Sequence, residues 1–349
     1  MSMEAGFALD PSKADDMLLV EMSPEELREG LATSNEFVLE YYLAEEIEDC
    51  VPDFHVLVAE EMWAPNQTLP FVAALPRGHA KSTIAKVGCL KRLYYTDTRF
   101  IVYVSNTHGL AANALSDVWD MINGAENIAA HGFPKPRLVR VSDGFYRFTI
   151  TAYRLKIGHN SGELTREPYE KHCSMRAQGA GQQVRGLNVD HQRPDYAVVD
   201  DLESEENVST VAGYQKLKRW FFNTFRKAMA KNFDLVVIGN LVATQTVLND
   251  LIKSKYWRSM RIGALRPDGT PLWPWLWPIE KLARDMLEYI EEGQLSSWFG
   301  EMMNMPVNIE TGLVDPDRIK YTPRRTPQDI IDHSDGYSYI TVDPAVSQQ

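Results

Sequence analysis

Leu69-Pro70-Phe71-Val72-Ala73-Ala74-Leu75, followed at once by Pro76-Arg77-Gly78-His79-Ala80-Lys81-Ser82-Thr83, decides the fold class of this 349-residue chain. The first seven residues are an apolar run of strand length, and Ile84 to Tyr95 beyond the turn reads as a helix. A strand that turns at a glycine and restarts as a helix aims the helix's first amides at one centre, the arrangement that binds polyphosphate. In that frame Gly78, His79, Ala80, Lys81, Ser82 and Thr83 form the cradle; Lys81 reaches the β and γ phosphates and Ser82 ligates Mg2+. The strict pattern GxxxxGK[ST] is not met, because Leu75 and Ala80 stand where the two glycines belong. Alanine at 80 is tolerable if the backbone is already turning into a right-handed helix, since a Cβ is costly only at positive φ.

A second constellation is Asp195-Tyr196-Ala197-Val198-Val199-Asp200-Asp201-Leu202-Glu203, in which Asp200 lies 119 residues beyond Lys81. This apolar strand ends in three carboxylates, placed where the carboxyl edge of a parallel sheet meets a phosphate loop. Asp200 suits the magnesium shell, and Asp201 or Glu203 suits polarising an attacking water, with Asp201 preferred by position. The same acids also fit a helix N-terminus. Upstream, Gly179-Ala180-Gly181-Gln182-Gln183-Val184-Arg185-Gly186 is a glycine-flanked loop with Arg185 at its tip, either a surface residue or a cation for transition-state charge. Downstream, Val236 to Thr246 is a strand with polar residues at its end, either a strand that simply closes in a polar turn or one that puts Asn240 or Thr244 where a γ-phosphate could be sensed. The separation from Lys81 to Asp200 suits a motor-type P-loop ATPase.

The rest of the chain supplies alternating elements. Ser23-Pro24-Glu25-Glu26 reads as an N-cap with proline at the first helical position and acids in the first turn. Arg99 to Ser105 is a buried strand, Ala111 to Ile122 a helix, Phe145 to Ile157 a hairpin, Val211 to Lys231 a helix and Asp234 to Gly239 a strand. Strands alternating with helices imply a mostly parallel sheet covered on both faces. Beyond Leu251 the pattern changes: Trp273-Pro274-Trp275-Leu276-Trp277-Pro278 fits neither a regular helix nor a central strand, and 306–327 is proline-punctuated and basic. Tyr337 to Val342 begins a fresh strand that ends at Asp343. The expected organisation is an acidic helical segment over 1–54, an ATPase core over 55–250, a lid and linker subdomain over 251–327, and the start of another domain over 328–349.

Composition narrows the class. With 44% hydrophobic and 24% charged residues the chain is ordinary globular protein, and no apolar run approaches the roughly 20 residues of a membrane span. Cys50, Cys89 and Cys173 lie far apart without a CxxC pair, which argues against a disulfide framework or a structural zinc site and for a reducing compartment. The net charge of -12 is uneven: residues 1–60 carry -14 and the remainder +2. Tyr214 to Lys231 holds six bases, Lys216, Lys218, Arg219, Arg226, Lys227 and Lys231, and no acid. Its interleaved Trp220, Phe221, Phe222 and Phe225 can pack one face and leave the other for nucleic-acid phosphate, or for water.

These motifs, in this order and spacing, resemble the large terminase subunits of tailed bacteriophages, the ATPases that pump DNA into empty capsids. The likeness runs from about His55 to the C-terminus. Its elements are the loop Pro76 to Thr83, the strand Ile101 to Thr107, Val184-Arg185-Gly186, Val198 to Glu203, Leu272-Trp273-Pro274 and Glu301-Met302-Met303-Asn304-Met305-Pro306. The resemblance implies an α/β P-loop NTPase fold of the ASCE/RecA-like kind, with ATP and Mg2+ as ligands. Lys81 and Ser82 would be the Walker A pair, Arg77 the additional arginine of that loop, and Asp200 with a following acid the Walker B element. Arg185 would act in trans in a homo-oligomeric ring. Gly239-Asn240 and Ala243-Thr244 compete for the coupling motif, and His55 and Trp63 lie near the family's adenine contact. Asp343 would be the first metal ligand of an RNase H-like nuclease whose other carboxylates this chain lacks, so nuclease activity is expected to be absent. The implied partners are double-stranded DNA, a portal protein and a small terminase subunit, in the host cytoplasm and docked on a procapsid, with no membrane. A helicase or remodelling ATPase, and a nucleotide-binding scaffold without turnover, are the rival readings.

Overall fold

The computed structural model of the chain describes residues 23–43, 51–65, 67–124, 134–157, 164–184, 187–189 and 191–306. Its centre is an eight-stranded sheet of order β3-β4-β5-β2-β6-β7-β1-β8. The strands are β1 (Phe71–Ala74), β2 (Phe100–Ser105), β3 (Arg137–Ser142), β4 (Phe145–Ile157), β5 (Leu164–Gly179), β6 (Tyr196–Asp200), β7 (Asp234–Gly239) and β8 (Arg258–Arg261). From β5 across to β8 all neighbours pair in parallel, while β3, β4 and β5 form an antiparallel extension at one end. The expected mostly parallel α/β sheet is therefore found. Every residue of β1, β2 and β6 is buried, the continuous apolar burial of strands covered on both faces.

One face carries α1 (Pro24–Thr33), α2 (Asn35–Tyr42), α3 (Asp53–Trp63), α4 (Lys81–Tyr95) and α5 (His108–Asn123), which share one apolar cluster with the sheet. Ser23 caps α1 as expected: its hydroxyl accepts from the Glu26 amide, the Glu26 carboxylate returns to the Ser23 amide, and Pro24 opens the helix. After the short α6 (Glu205–Val208), the other face carries α7 (Val211–Trp220), a π turn (Phe221–Phe225), α8 (Arg226–Ala228) and α9 (Val247–Ile252). The helix expected over Val211 to Lys231 thus widens at its aromatic centre and stops at Ala228. After β8 come α10 (Ile279–Glu291) and α11 (Leu295–Met303), which with Ala264, Leu282, Trp298 and Met302 enclose a small core of their own. Among the described residues no helix is long and apolar enough to cross a membrane.

Three expectations about elements need correction. Phe145 to Ile157 is not a hairpin but one long strand, paired with β3 on one side and with all of 164–176 on the other. Its partner β5 escaped notice because Lys171 interrupts the alternation of Tyr169, Cys173, Met175 and Ala177. That lysine is fully buried, and its ammonium donates to the carbonyls of Leu93 (2.7 Å) and Thr96 (2.6 Å) at the end of α4, which offset its desolvation. The segment after 250 does not begin as an accessory unit, because β8 is the eighth strand of the main sheet, and the boundary at 54/55 falls inside α3.

Candidate nucleotide site

The loop between β1 and α4 is held by one of its own side chains and by two from elsewhere in the fold. His79 Nδ1 donates to the Arg77 carbonyl (2.8 Å), Trp277 Nε1 to the Gly78 carbonyl (3.0 Å) and His55 Nε2 to the His79 carbonyl (3.2 Å). In a trans peptide the next N–H points opposite to the carbonyl, so fixing these three oxygens outward turns the amides of Gly78, His79 and Ala80 inward. Among the described residues the amides of 78–83 have no protein acceptor. The two histidines donate as neutral rings, because burial drives both down to about 4. Their other nitrogens, His55 Nδ1 and His79 Nε2, are buried without a partner, as unprotonated nitrogens in an apolar wall. Trp277 stacks on His79 (5.6 Å, 7°) and lies 2.7 Å from the place a Cβ on Gly78 would take. Gly78, at φ +70°, is thus required on two grounds.

Ala80 departs from expectation. It is not in the right-handed region but at φ 59°, ψ 14°, immediately before α4. A left-handed alanine costs about 1–2 kcal/mol, so the loop holds the geometry a glycine would favour in spite of its side chain. The packing of His55, His79 and Trp277 fixes it there.

At the mouth of the loop the ends of β6 and β7 meet Lys81. Its ammonium donates to Asn240 Oδ1 (2.7 Å) and lies 3.5 Å from the carboxylate of Asp201. Asn240 in turn donates through Nδ2 to the carbonyls of Leu75 (2.7 Å) and Glu301 (2.8 Å), so one side chain ties the start of the loop after β1, the end of β7 and α11 together. Asp200 is buried, and its Oδ2 accepts from the Tyr103 hydroxyl at 2.7 Å. Burial and the neighbouring Asp201 charge push it up to about 6, against the Tyr103 hydroxyl, the Lys81 ammonium and the Ser82 hydroxyl, which favour the ionised form. Its second oxygen, Oδ1, is buried without a partner. An orphaned carboxylate oxygen beside a serine hydroxyl fits the requirement of Mg2+ for oxygen ligands. Asp201 is half-exposed and sits at φ 47°, and among the described residues Lys81 is its one ion-pair partner.

Other expected site residues have other neighbours. Glu203 is turned away: its two oxygens accept the amides of Val247 (2.6 Å) and Leu248 (3.0 Å), capping α9, and burial pushes it up to about 7. Arg77 pairs with Glu301 (2.8 Å), and its amide donates to the Glu301 carbonyl. Thr244 is exposed, and its carbonyl accepts from Asn249. Thr83 follows Ser82 in the first turn of α4. Trp63 donates to the Ile84 carbonyl (3.0 Å) and packs over Gly88. Arg185 and Asp343 lie outside the described residues. Sequence reasoning missed Tyr103, Trp277 and Glu301, whose roles arise from strand order and from residues about 200 positions beyond the loop.

No family model matches the sequence, and no curated protein matches it. Among solved structures, the chain is similar to a variant of the large terminase ATPase domain of Thermus phage P74-26, at 14% identity and a TM-score of 0.46, covering 69% of this chain and 90% of that one. It is also similar to the large terminase of a thermophilic bacteriophage in complex with ADP, at 10% identity and TM-score 0.45, covering 78% of this chain but 59% of that one. A DEAD box protein from Methanococcus jannaschii follows at 12% identity and TM-score 0.37, covering 66% and 56%.

Proposed function

We propose that the chain is a magnesium-dependent ATPase that, as a homo-oligomeric ring, drives double-stranded DNA into a viral procapsid. The observation that carries the ATPase part is the convergence, under the unpaired amides of 78–83, of the Lys81 ammonium, Asn240, Asp201 and the unpartnered Oδ1 of Asp200. The amides and Lys81 bind the triphosphate, and the ammonium exchanges Asn240 and Asp201 for phosphate oxygens. Ser82 and Asp200 would hold Mg2+, which supplies charge neutralisation at the β and γ phosphates. Asp201, half-exposed and free of any capping duty, orients the attacking water and takes its proton. Asn240 senses the γ-phosphate: when Lys81 leaves it, its links to Leu75 and Glu301 carry the change to α11. Arg77, now paired with Glu301, and Arg185 from a neighbouring subunit stabilise transition-state charge.

The packaging role rests on the motif order described above. In that reading the ring works in the host cytoplasm, docked on a portal protein and loaded by a small terminase subunit. The test is nucleotide binding and phosphate release by the parent chain and by Lys81→Ala, with and without duplex DNA. Tight Mg2+-dependent ADP binding lost in the variant, with turnover that falls per subunit on dilution, is the expected result. Binding without turnover marks a nucleotide-binding scaffold instead, and strand separation marks a helicase.

A further inference from the structure

The basic run from α7 through α8 has two unlike sides. Tyr214, Leu217, Trp220, Phe221 and Phe225 are buried in the apolar cluster on this face of the sheet. Lys216, Arg219, Asn223 and Lys227 are exposed to solvent. Residues three or four apart along a helix are neighbours, so these four form one stripe, about 16 Å long at about 1.5 Å per residue. Among the described residues, Lys216, Arg219 and Lys227 have no ion pair or ring contact at their side chains. The two cations off the stripe are engaged. Lys218 donates to Asp250 (2.7 Å) and to the Tyr214 hydroxyl (2.9 Å), and Arg226 lies against the rings of Phe222 and Trp257.

The surroundings of the stripe carry little compensating charge. Residues 211–233 hold six bases and no acid, and 251–267 hold five more, Lys253, Lys255, Arg258, Arg261 and Arg266, again without an acid. The two segments are adjacent in the fold, because the Trp257 ring meets that of Phe221 at 6.3 Å between centres. Asp250, at their junction, is already matched by Lys218. An ordinary solvated helix mixes both signs, as α10 does in exposing Glu280, Lys281, Arg284, Glu288 and Glu291. A surface of one sign, set in a chain of net charge -12, raises the local concentration of a polyanion.

At its C-terminal end the stripe meets a cleft of about 440 Å³, lined by Asn223, Thr224 and Lys227 and by Gln183 and Val184 of the glycine-flanked loop, with no carboxylate among the described residues of its walls. Trp220 Nε1 donates to the Gln182 carbonyl (2.6 Å), which pins that loop to the helix. One ammonium among neutral amide and hydroxyl donors is the set that contacts phosphate and sugar oxygens. We propose that the stripe and this cleft bind the sugar-phosphate backbone of duplex DNA. The proposal rests on the DNA part of the reading above and gives it a surface. The stripe is long enough for about five phosphates of one strand, at about 3.4 Å each along the axis. Trp220, Phe221 and Phe225 are turned into the core, which removes the stacking platform that single strands use and leaves a backbone contact independent of sequence.

The experiment is anisotropy of a labelled duplex of mixed sequence with the full chain, over about 50 to 200 mM salt. Lys216→Gln with Lys227→Gln should weaken binding about tenfold or more and lower the slope of log affinity against log salt by about 2, since each phosphate contact contributes about 0.9. Arg219→Gln alone should lower the slope by about 1, and thermal melts verify that the variants are folded. Lys135→Gln with Arg284→Gln, which removes the same charge from exposed positions elsewhere, should leave the slope unchanged. An unchanged slope in the stripe variants, or an equal fall in the Lys135 and Arg284 pair, overturns the proposal. So does tighter binding of a single strand of the same length, and so does displacement of the duplex by inorganic phosphate or ADP at low millimolar concentration, which marks a small-anion site. A change in self-association with duplex affinity intact makes the face a contact between copies and likewise overturns it. The parent chain separates the two levels of the reading. No duplex binding by the parent sinks the DNA part of the proposed function as well, whereas parent binding that the stripe variants retain sinks this surface alone.

Discussion

Replacing Glu203 by glutamine separates the two carboxylates that the sequence left in competition. Glu203 caps α9 through the amides of Val247 and Leu248, and its folded-state pKa is pushed from 4.5 to about 7 by burial. A carboxyl group whose pKa is raised on folding contributes stability below its unfolded pKa and loses it as pH rises through the folded one. From about pH 4.5 to 7 the parent chain therefore loses up to about 3 kcal/mol through this group, and Glu203→Gln does not. Against that, the new NH₂ faces a helix amide that formerly donated to oxygen, a mismatch costing about 1–3 kcal/mol at every pH. The variant should thus be less stable than the parent at pH 5 and close to it at pH 8, as read by urea melts. Catalysis should barely move, because a group engaged with two amides is not free to take a proton from water. Asp201→Asn, in contrast, should lower phosphate release by about 10²–10⁴, the usual contribution of a general base, with ADP affinity preserved within a few fold. A hundredfold loss of turnover in Glu203→Gln, with nucleotide binding intact and Asp201→Asn still active, would refute the assignment.

Two further outcomes follow from the same geometry. Tyr103→Phe removes the hydroxyl that orients Asp200, and should raise the Mg2+ concentration needed for tight ADP binding by about 10- to 100-fold, while metal-free ADP binding changes little; equal Mg2+ dependence in titration calorimetry would deny Tyr103 that positioning role. His55 and His79 are held near 4 in the folded state against 6.5 unfolded, so as pH falls the unfolded chain takes up the protons first. Each should cost the fold about 1.4 kcal/mol per pH unit between about 6.5 and 4. Because Asp200 and Glu203 shift the other way, the cleanest measure is the difference between the parent and His55→Gln, whose melting temperature should fall less steeply over that window; parallel curves would contradict the neutral-imidazole assignment.

Much of this protein is legible from sequence because the relevant interactions are local. The strand, turn and helix around Lys81, the acid-tipped β6, the strand β7 and the capping box at Ser23 follow from periodicity and from residues within four positions of each other. The loop before α4 and the acids at the end of β6 are legible on that basis, and the sheet brings Lys81 to within 3.5 Å of Asp201. Local signals fail where a charge sits at a core position: Lys171 hid β5 because its compensation comes from the end of α4.

What only the tertiary structure decided is how the named groups are partnered. Strand order places β7 between β1 and β6, so that Asn240, 159 residues from Lys81, becomes its nearest acceptor. The same fold turns Glu203 onto α9, Tyr103 onto Asp200 and Glu301 onto Arg77. Even the left-handed backbone at Ala80 is imposed from outside, by a histidine 25 positions earlier and a tryptophan 197 positions later. The physical reason is that hydrogen-bond and ion-pair geometry depends on separation in space. Pairing of parallel strands brings together segments whose distance along the chain carries no record of that separation.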